Sequence, residues 1–286
     1  MRVRRLKFGY ELTDIDYRSK DHAEFIKEKI GFNRFVVVKN KKPVHPDTLA
    51  VLYRKIGMLG VQPEGVKSAL EINRAFCRVR SGGMFSGDRN DGELSWHNAL
   101  QGRYDGDQLI CMYMVKNNCV GGDTGFTDGT AAFYDLPREQ QEFWMTRQAE
   151  YPVYDLNNIT KEIMEKSYFK DVYSTVEEAK LFLDGDGGRP HDRQRRYIDV
   201  VTKHPLTGKK GFFFPYETIK GFRGYRYERA SQMRSELIKH ILQDKYVYWH
   251  KWEENDLIFT DQVHSLHKRK RYKGERELWR SGIMYR

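Results

Sequence analysis

Gln108-Leu109-Ile110-Cys111-Met112-Tyr113-Met114-Val115 decides the class of fold. The run is almost wholly apolar, rich in strand-favouring residues, and closed by Lys116-Asn117-Asn118, so it reads as a buried β-strand. From about Leu94 onward the same pattern recurs: short apolar runs broken by Gly, Asn and Asp. Tyr197-Ile198-Asp199-Val200-Val201, Gly211-Phe212-Phe213-Phe214 and Asp256-Leu257-Ile258-Phe259-Thr260-Asp261 are further examples. Many short strands with turn signals predict a mainly β chain, a barrel, sandwich or jelly roll with flanking helices.

Upstream the signals alternate. Asp21-His22-Ala23-Glu24-Phe25-Ile26-Lys27-Glu28-Lys29-Ile30 has helical apolar spacing and is expected to stop at Gly31. Arg34-Phe35-Val36-Val37-Val38-Lys39 reads as a buried strand, and Pro46 opens a second helix to about Ile56. Downstream, 137–149 and 229–245 read as helices. The charged segment 174–196, within a wider 163–196, holds Asp184-Gly185-Asp186-Gly187-Gly188-Arg189-Pro190 and reads as an insertion or lid, or as a plain surface loop.

Composition sets the outer limits. Apolar residues are 39% of the 286, but 18 Tyr and 16 Phe bury much area each, which suits a folded core rather than disorder. No run of about 18 apolar residues occurs, which argues against a membrane partner, and no apolar signal core follows the basic start. Three cysteines without metal-type spacing fit reduced thiols and a cytoplasmic location. The net charge of +10 gathers partly in His267-Lys268-Arg269-Lys270-Arg271. A solvated basic face, an anionic substrate or acidic partner, and nucleic acid are the three readings. No nucleic-acid module or aromatic-basic stripe is present, so no nucleic-acid partner is expected.

Among nine histidines, His97 and His267 stand out, because each lies beside a strand-like run. Imidazoles at strand ends can converge on a metal, although a lone histidine is more often structural. Gly121-Gly122-Asp123-Thr124-Gly125 lacks the ending of a phosphate loop, and no hydrolase elbow or His-Glu-x-x-His helix occurs.

Five segments in order resemble the taurine dioxygenase (TauD/TfdA-like) family: Trp96-His97-Asn98-Ala99, Val120-Gly121-Gly122-Asp123-Thr124, His204-Pro205-Leu206-Thr207-Gly208, Asn255 through His267, and Ile283-Met284-Tyr285-Arg286. The resemblance spans nearly the whole chain, so residues 1–286 are expected to form one catalytic domain. It implies a double-stranded β-helix (a cupin-like jelly roll), an oxidoreductase using Fe(II), 2-oxoglutarate and O2, and iron held by His97 and His267. It implies that Thr124 bonds the far carboxylate of 2-oxoglutarate and that Arg286 clamps it, with Arg280 as second candidate because the last segment is about four residues longer than in the family. His264 is a rival to His267, and the family's Asp-Asn-Arg reads Asp261-Gln262-Val263 here.

The family places a metal carboxylate two residues after the first histidine, and that residue here is Ala99. Such a replacement resembles the iron radical halogenases, in which the opened position takes chloride or bromide. Three other readings stay open: a hydroxylase with a carboxylate from Asp105, Asp107 or Glu93, a hydroxylase with an engineered alanine, and a non-catalytic binding protein. For the substrate, a small molecule such as an amino acid, Glu93 could meet an ammonium or be a plain surface-loop acid, Asn98 could meet the halide or substrate, and Phe213 an apolar part. The basic surface also admits a phosphorylated substrate or an acidic carrier protein.

Overall fold

A computed structural model of the chain describes residues 1–60, 70, 72–80, 93–98, 108–151, 197–216 and 219–285. The N-terminal strands are β1 (Arg2–Arg5), β2 (Tyr10–Thr13), β3 (Phe35–Lys39), β4 (Gly57–Leu59), β5 (Cys77–Arg80) and β6 (Leu94–His97). The middle of the chain adds β7 (Leu109–Gly121), β8 (Thr124–Thr127), β9 (Gln148–Glu150), β10 (Tyr197–Asp199), β11 (Val201–Lys203), β12 (Lys210–Phe212) and β13 (Gly221–Phe222). The last are β14 (Val247–His250), β15 (Leu257–Asp261), β16 (His267–Arg269) and β17 (Tyr272–Tyr285). The helices are α1 (Lys20–Asn33), α2 (Pro46–Ile56), α3 (Gly129–Tyr134), α4 (Arg138–Met145) and α5 (Tyr227–Ile241).

Two sheets face each other. The larger runs β1-β2-β3-β15-β7-β17-β4, with β5 also on β17, and the smaller runs β14-β8-β16-β6. Strand alternation assigns their faces. Phe35 and Val37 of β3, Ile258 of β15, Met114 of β7 and Leu278 of β17 point into the space between the sheets, where they meet Phe126 of β8. The Phe35 and Phe126 rings stack there with centroids 4.8 Å apart. The alternate residues Val36, Val38, Leu257 and Phe259 pack outward on Ile26 and Ile30 of α1 and Leu49, Leu52 and Tyr53 of α2. Strands covered on both faces need apolar side chains at every position, which is why β3 reads as an unbroken apolar run. This is the mainly β jelly roll that the strand pattern predicts.

Local outcomes follow the same logic. Helix α1 is capped by the Ser19 hydroxyl, which accepts from the His22 amide at 3.2 Å. It runs through Gly31 rather than stopping there, and ends at Arg34, whose φ is 64°. The expected helix over 137–149 stops at Met145, because Gln148–Glu150 is taken into a sheet with Tyr197–Asp199 and with Gly221–Phe222 of β13. The run from Tyr197 is split at Val200, whose carbonyl accepts from Phe213 N at 2.9 Å. The segment 163–196, read as an insertion or lid, lies outside the described residues. Among the described residues no helix is long and apolar enough to cross a membrane.

Candidate metal and co-substrate site

β16 is the strand that builds the site. It pairs antiparallel with β8, in the register His267↔Phe126 and Arg269↔Thr124, and with β6 through His267↔His97. Directly opposed residues share a face. Phe126 lies in the inter-sheet core, so His97, His267, Arg269 and Thr124 also face inward. The two imidazoles are adjacent, with centroids 4.2 Å apart.

Their hydrogen bonds suit a metal. His97 Nδ1 lies 2.7 Å from the Ser95 carbonyl, which can only accept, so Nδ1 carries the proton and Nε2 keeps its lone pair. Among the described residues His267 Nδ1 is buried with no hydrogen-bond partner. Burial lowers the His97 pKa, and the charges of Arg280 and Arg269 add to the effect. Burial, then His97 and Arg280, push His267 well below its usual value. Neutral imidazoles with a lone pair free are what a cation needs, so the pair fits a metal ion. Among the described residues no third His, Cys, Asp or Glu joins them.

Thr124 lies at the start of β8, after a turn whose Gly121 and Gly122 have φ of 85° and 78°. Its Oγ1 accepts a hydrogen bond from Trp252 Nε1 at 2.8 Å. Arg276 of β17 approaches the same corner. Its guanidinium donates to the Gly122 carbonyl at 3.0 Å and lies 6.0 Å from the Trp252 ring centre and 5.3 Å from that of Tyr272. Arg269 stacks on Tyr272 at 4.8 Å. Burial and the neighbouring Arg269 push the Arg276 pKa down to about 10, which still leaves it charged. Two residues on from the lumen-facing Leu278, Arg280 pairs with Met112 and lies close enough to the histidines to depress both. A buried hydroxyl beside guanidinium groups is a fitting cradle for a carboxylate.

Not every residue singled out in the sequence arrives here. Ala99, Asp105, Asp107 and Arg286 lie outside the described residues. Glu93 is ion-paired with Lys268. Lys268 alternates with the lumen-facing His267 and Arg269, so the acid sits on the outer face, away from the histidines. That geometry favours a plain surface acid over a contact of Glu93 with substrate or metal. Phe213 is fully buried in the core cluster around α3 and α5, with Tyr151 at 6.4 Å between centroids, and does not line the space between the sheets. Asn98 is buried and donates to the Gln262 carbonyl at 3.1 Å. His264 is no rival to His267, since its two ring nitrogens bond the Thr130 and Thr202 hydroxyls, both at 3.1 Å.

Sequence reasoning missed Arg276, Arg269 and Trp252. It also missed a buried ionic cluster. Asp261 receives Arg34 Nη1 at 2.9 Å and lies 3.0 Å from His204 Nε2, and its carboxylate accepts the His264 amide at 2.8 Å. Burial opposes ionisation of Asp261, but His204 and Arg34 hold its carboxyl well below the usual range. The family's Asp-Asn-Arg lacks its arginine here, and Arg34, from the end of α1, supplies a guanidinium to Asp261. One signal was available for Arg276: it stands four residues before Arg280 in a strand, hence on the same face.

Comparisons with known proteins agree with this architecture. The family described as Taurine catabolism dioxygenase TauD, TfdA family matches residues 2–281, which include Arg276 and Arg280 but not Arg286. An alpha-ketoglutarate-dependent 2,4-dichlorophenoxyacetate dioxygenase from Cupriavidus pinatubonensis (strain JMP 134 / LMG 1197) is 29% identical over 192 residues, 65% of this chain and 58% of that protein. Pentalenolactone F synthase from Streptomyces arenae is 22% identical over 154 residues, 53% of this chain and 48% of that protein. The chain thus spans about half the length of the curated relatives it matches. Among solved structures, a taurine dioxygenase from Burkholderia xenovorans superposes with a TM-score of 0.71 at 15% identity, covering 100% of this chain and 89% of that one. AAD-2 in complex with Mn(II) and N-oxalylglycine gives 0.70 at 17%, covering 100% and 97%. With a match over all but its last few residues, the chain belongs to the TauD/TfdA family of dioxygenases.

Proposed function

We propose that this chain is an Fe(II)/2-oxoglutarate-dependent oxygenase that acts on a small molecule, and that Ala99 makes it a halogenase. The observation that carries the first part is the adjacent His97–His267 pair, neutral, inward-facing and with a ring nitrogen that has no partner among the described residues. His97 and His267 would hold the iron. Thr124 and Arg276 would hold the far carboxylate of 2-oxoglutarate, with Arg276 preferred to Arg286 because it stands beside Trp252 and Gly122. With O2, these groups supply the oxidising power to functionalise an unactivated C–H bond.

The chain's own residues do the rest. Phe35, Phe126, Met114 and Leu278 line the space between the sheets and keep water out. Arg280 adds a positive charge near the histidines, which suits an anionic group on substrate or a halide. The relatives named above include one named for 2,4-dichlorophenoxyacetate, a carboxylate, in keeping with an anionic substrate here. Alanine has no lone pair to give a metal, and its methyl leaves both a ligand position and a unit of negative charge to a chloride or bromide ion. The second reading, a hydroxylase with a carboxylate from elsewhere, is favoured by the dioxygenase names of the relatives.

The test is anaerobic. Protein with Fe(II) and 2-oxoglutarate is titrated with chloride while the weak visible absorption of the chelated co-substrate is followed. Formation of the band with a saturable chloride shift, lost in Ala99→Asp, is the result expected. A band indifferent to chloride and bromide moves the hydroxylase reading ahead. No band at all removes the iron site.

A further inference from the structure

The Thr124 hydroxyl carries a directional constraint. Its oxygen is the acceptor for Trp252 Nε1 at 2.8 Å, and an indole N–H can only donate. The Thr124 proton must therefore point elsewhere. The residue is buried, and among the described residues no group accepts that proton. A buried donor without an acceptor is costly, and a carboxylate oxygen is the partner that relieves it most. Trp252 is itself firmly held. It is buried, its carbonyl accepts from Asn117 Nδ2 at 2.8 Å, and its ring meets His250 edge-on at 5.0 Å. The Arg276 guanidinium lies 6.0 Å from the same ring centre. One side chain thus touches both groups of the cradle.

We infer that Trp252 is a positioning residue for the co-substrate: its indole N–H fixes the Thr124 hydroxyl as a donor aimed at the far carboxylate of 2-oxoglutarate. The inference rests on the proposed co-substrate role of Thr124. It concerns binding, so it is tested without turnover, on Mn(II)-loaded protein by calorimetric titration with 2-oxoglutarate and with 2-oxobutyrate, which lacks the far carboxylate.

Trp252→Phe keeps a ring beside Arg276 and removes the N–H. It is expected to weaken 2-oxoglutarate about tenfold, within the range of one charge-assisted hydrogen bond, and to leave 2-oxobutyrate unchanged. Thr124→Ala should weaken 2-oxoglutarate at least as much. The double variant should be no weaker than Thr124→Ala alone, because the indole acts through the hydroxyl. A purely packing role would instead add its loss to that of Thr124→Ala and would weaken both acids. If Trp252→Phe fails to fold, a benzothienylalanine at 252 keeps the bicyclic shape and still lacks the N–H. Wild-type affinity in Trp252→Phe, or additive losses, overturns the inference while the co-substrate site stands. Wild-type affinity in Thr124→Ala overturns it together with the role of Thr124. Absence of any 2-oxoglutarate binding to the wild-type protein overturns the proposed function as well.

Discussion

His264 and His267 are three residues apart, the first fully buried, the second half-buried with its Nδ1 out of reach of solvent, and the two are opposite in character. His264 belongs to a cluster in which each ring nitrogen has a threonine hydroxyl and the neighbouring Asp261 is bonded by Arg34, His204 and two backbone amides. His267 faces His97 with a ring nitrogen that has no partner among the described residues. The first cluster holds the turn between β15 and β16 in shape. The second leaves donor capacity unspent. Burial alone therefore does not mark a ligand, and an unsatisfied nitrogen beside a second imidazole does.

Three measurements can break or sharpen that contrast. The largest effect should come from Asp261→Asn, which leaves the Arg34 guanidinium buried and uncompensated. A loss of about 3–5 kcal/mol in the free energy of unfolding is expected, read from urea denaturation. A loss below about 1 kcal/mol would mean that the cluster is not structural.

Next is metal affinity. His267→Gln and His97→Gln should each weaken Mn(II) binding by more than about a hundredfold, beyond what an outer-shell partner costs. His264→Gln should change it by less than about tenfold. Equal losses from His264 and His267 would erase the distinction between the two regions.

The smallest effect is in the pH dependence of the metal-free protein. Burial lowers the pKa of both His264 and His267 in the folded state. A depressed folded pKa gives stability that is complete above the unfolded value, about 6.5, and is lost as pH falls below it. Between pH 7 and 5.5 each imidazole should contribute about 1 kcal/mol of loss. Replacing either histidine with glutamine should remove about half of the two-residue total. A flat profile from pH 7 to 5.5 would mean that neither ring is neutral and buried in solution.

Much of this molecule was legible in its sequence, and the reasons are local. Strand β3 announces itself because both its faces are covered, and α2 because Pro46 fits a first turn. The histidines and Thr124 sit in short motifs whose spacing travels with the strands that carry them. Elsewhere the chain-local signal misled. Gln148–Glu150 continues a helical pattern yet is claimed by Tyr197–Asp199 and Gly221–Phe222, partners distant in sequence. Glu93 lies four residues before His97, but its Lys268 partner is on the outer face of the small sheet. The basic run from His267 to Arg271 looks like one solvated face, yet alternation along β16 turns Arg269 inward and leaves Lys268 and Lys270 outside, with Glu93 and Asp123.

The sequence by itself determined the β-rich class and the family, which depend on residue type in short motifs, and the resemblance nominated His97, His267 and Thr124 as site residues. Only the tertiary structure decided which arginine of β17 stands beside Gly122 and Trp252. β17 pairs with β7 from Tyr272↔Gly121 onward to Ile283↔Leu109, so its first residues lie along the Gly121–Thr124 turn and its last lie at the opposite end of the sheet. Cross-strand register carries Arg276 to that corner, and register is set by pairing between segments about 150 residues apart, which spacing along the chain does not encode.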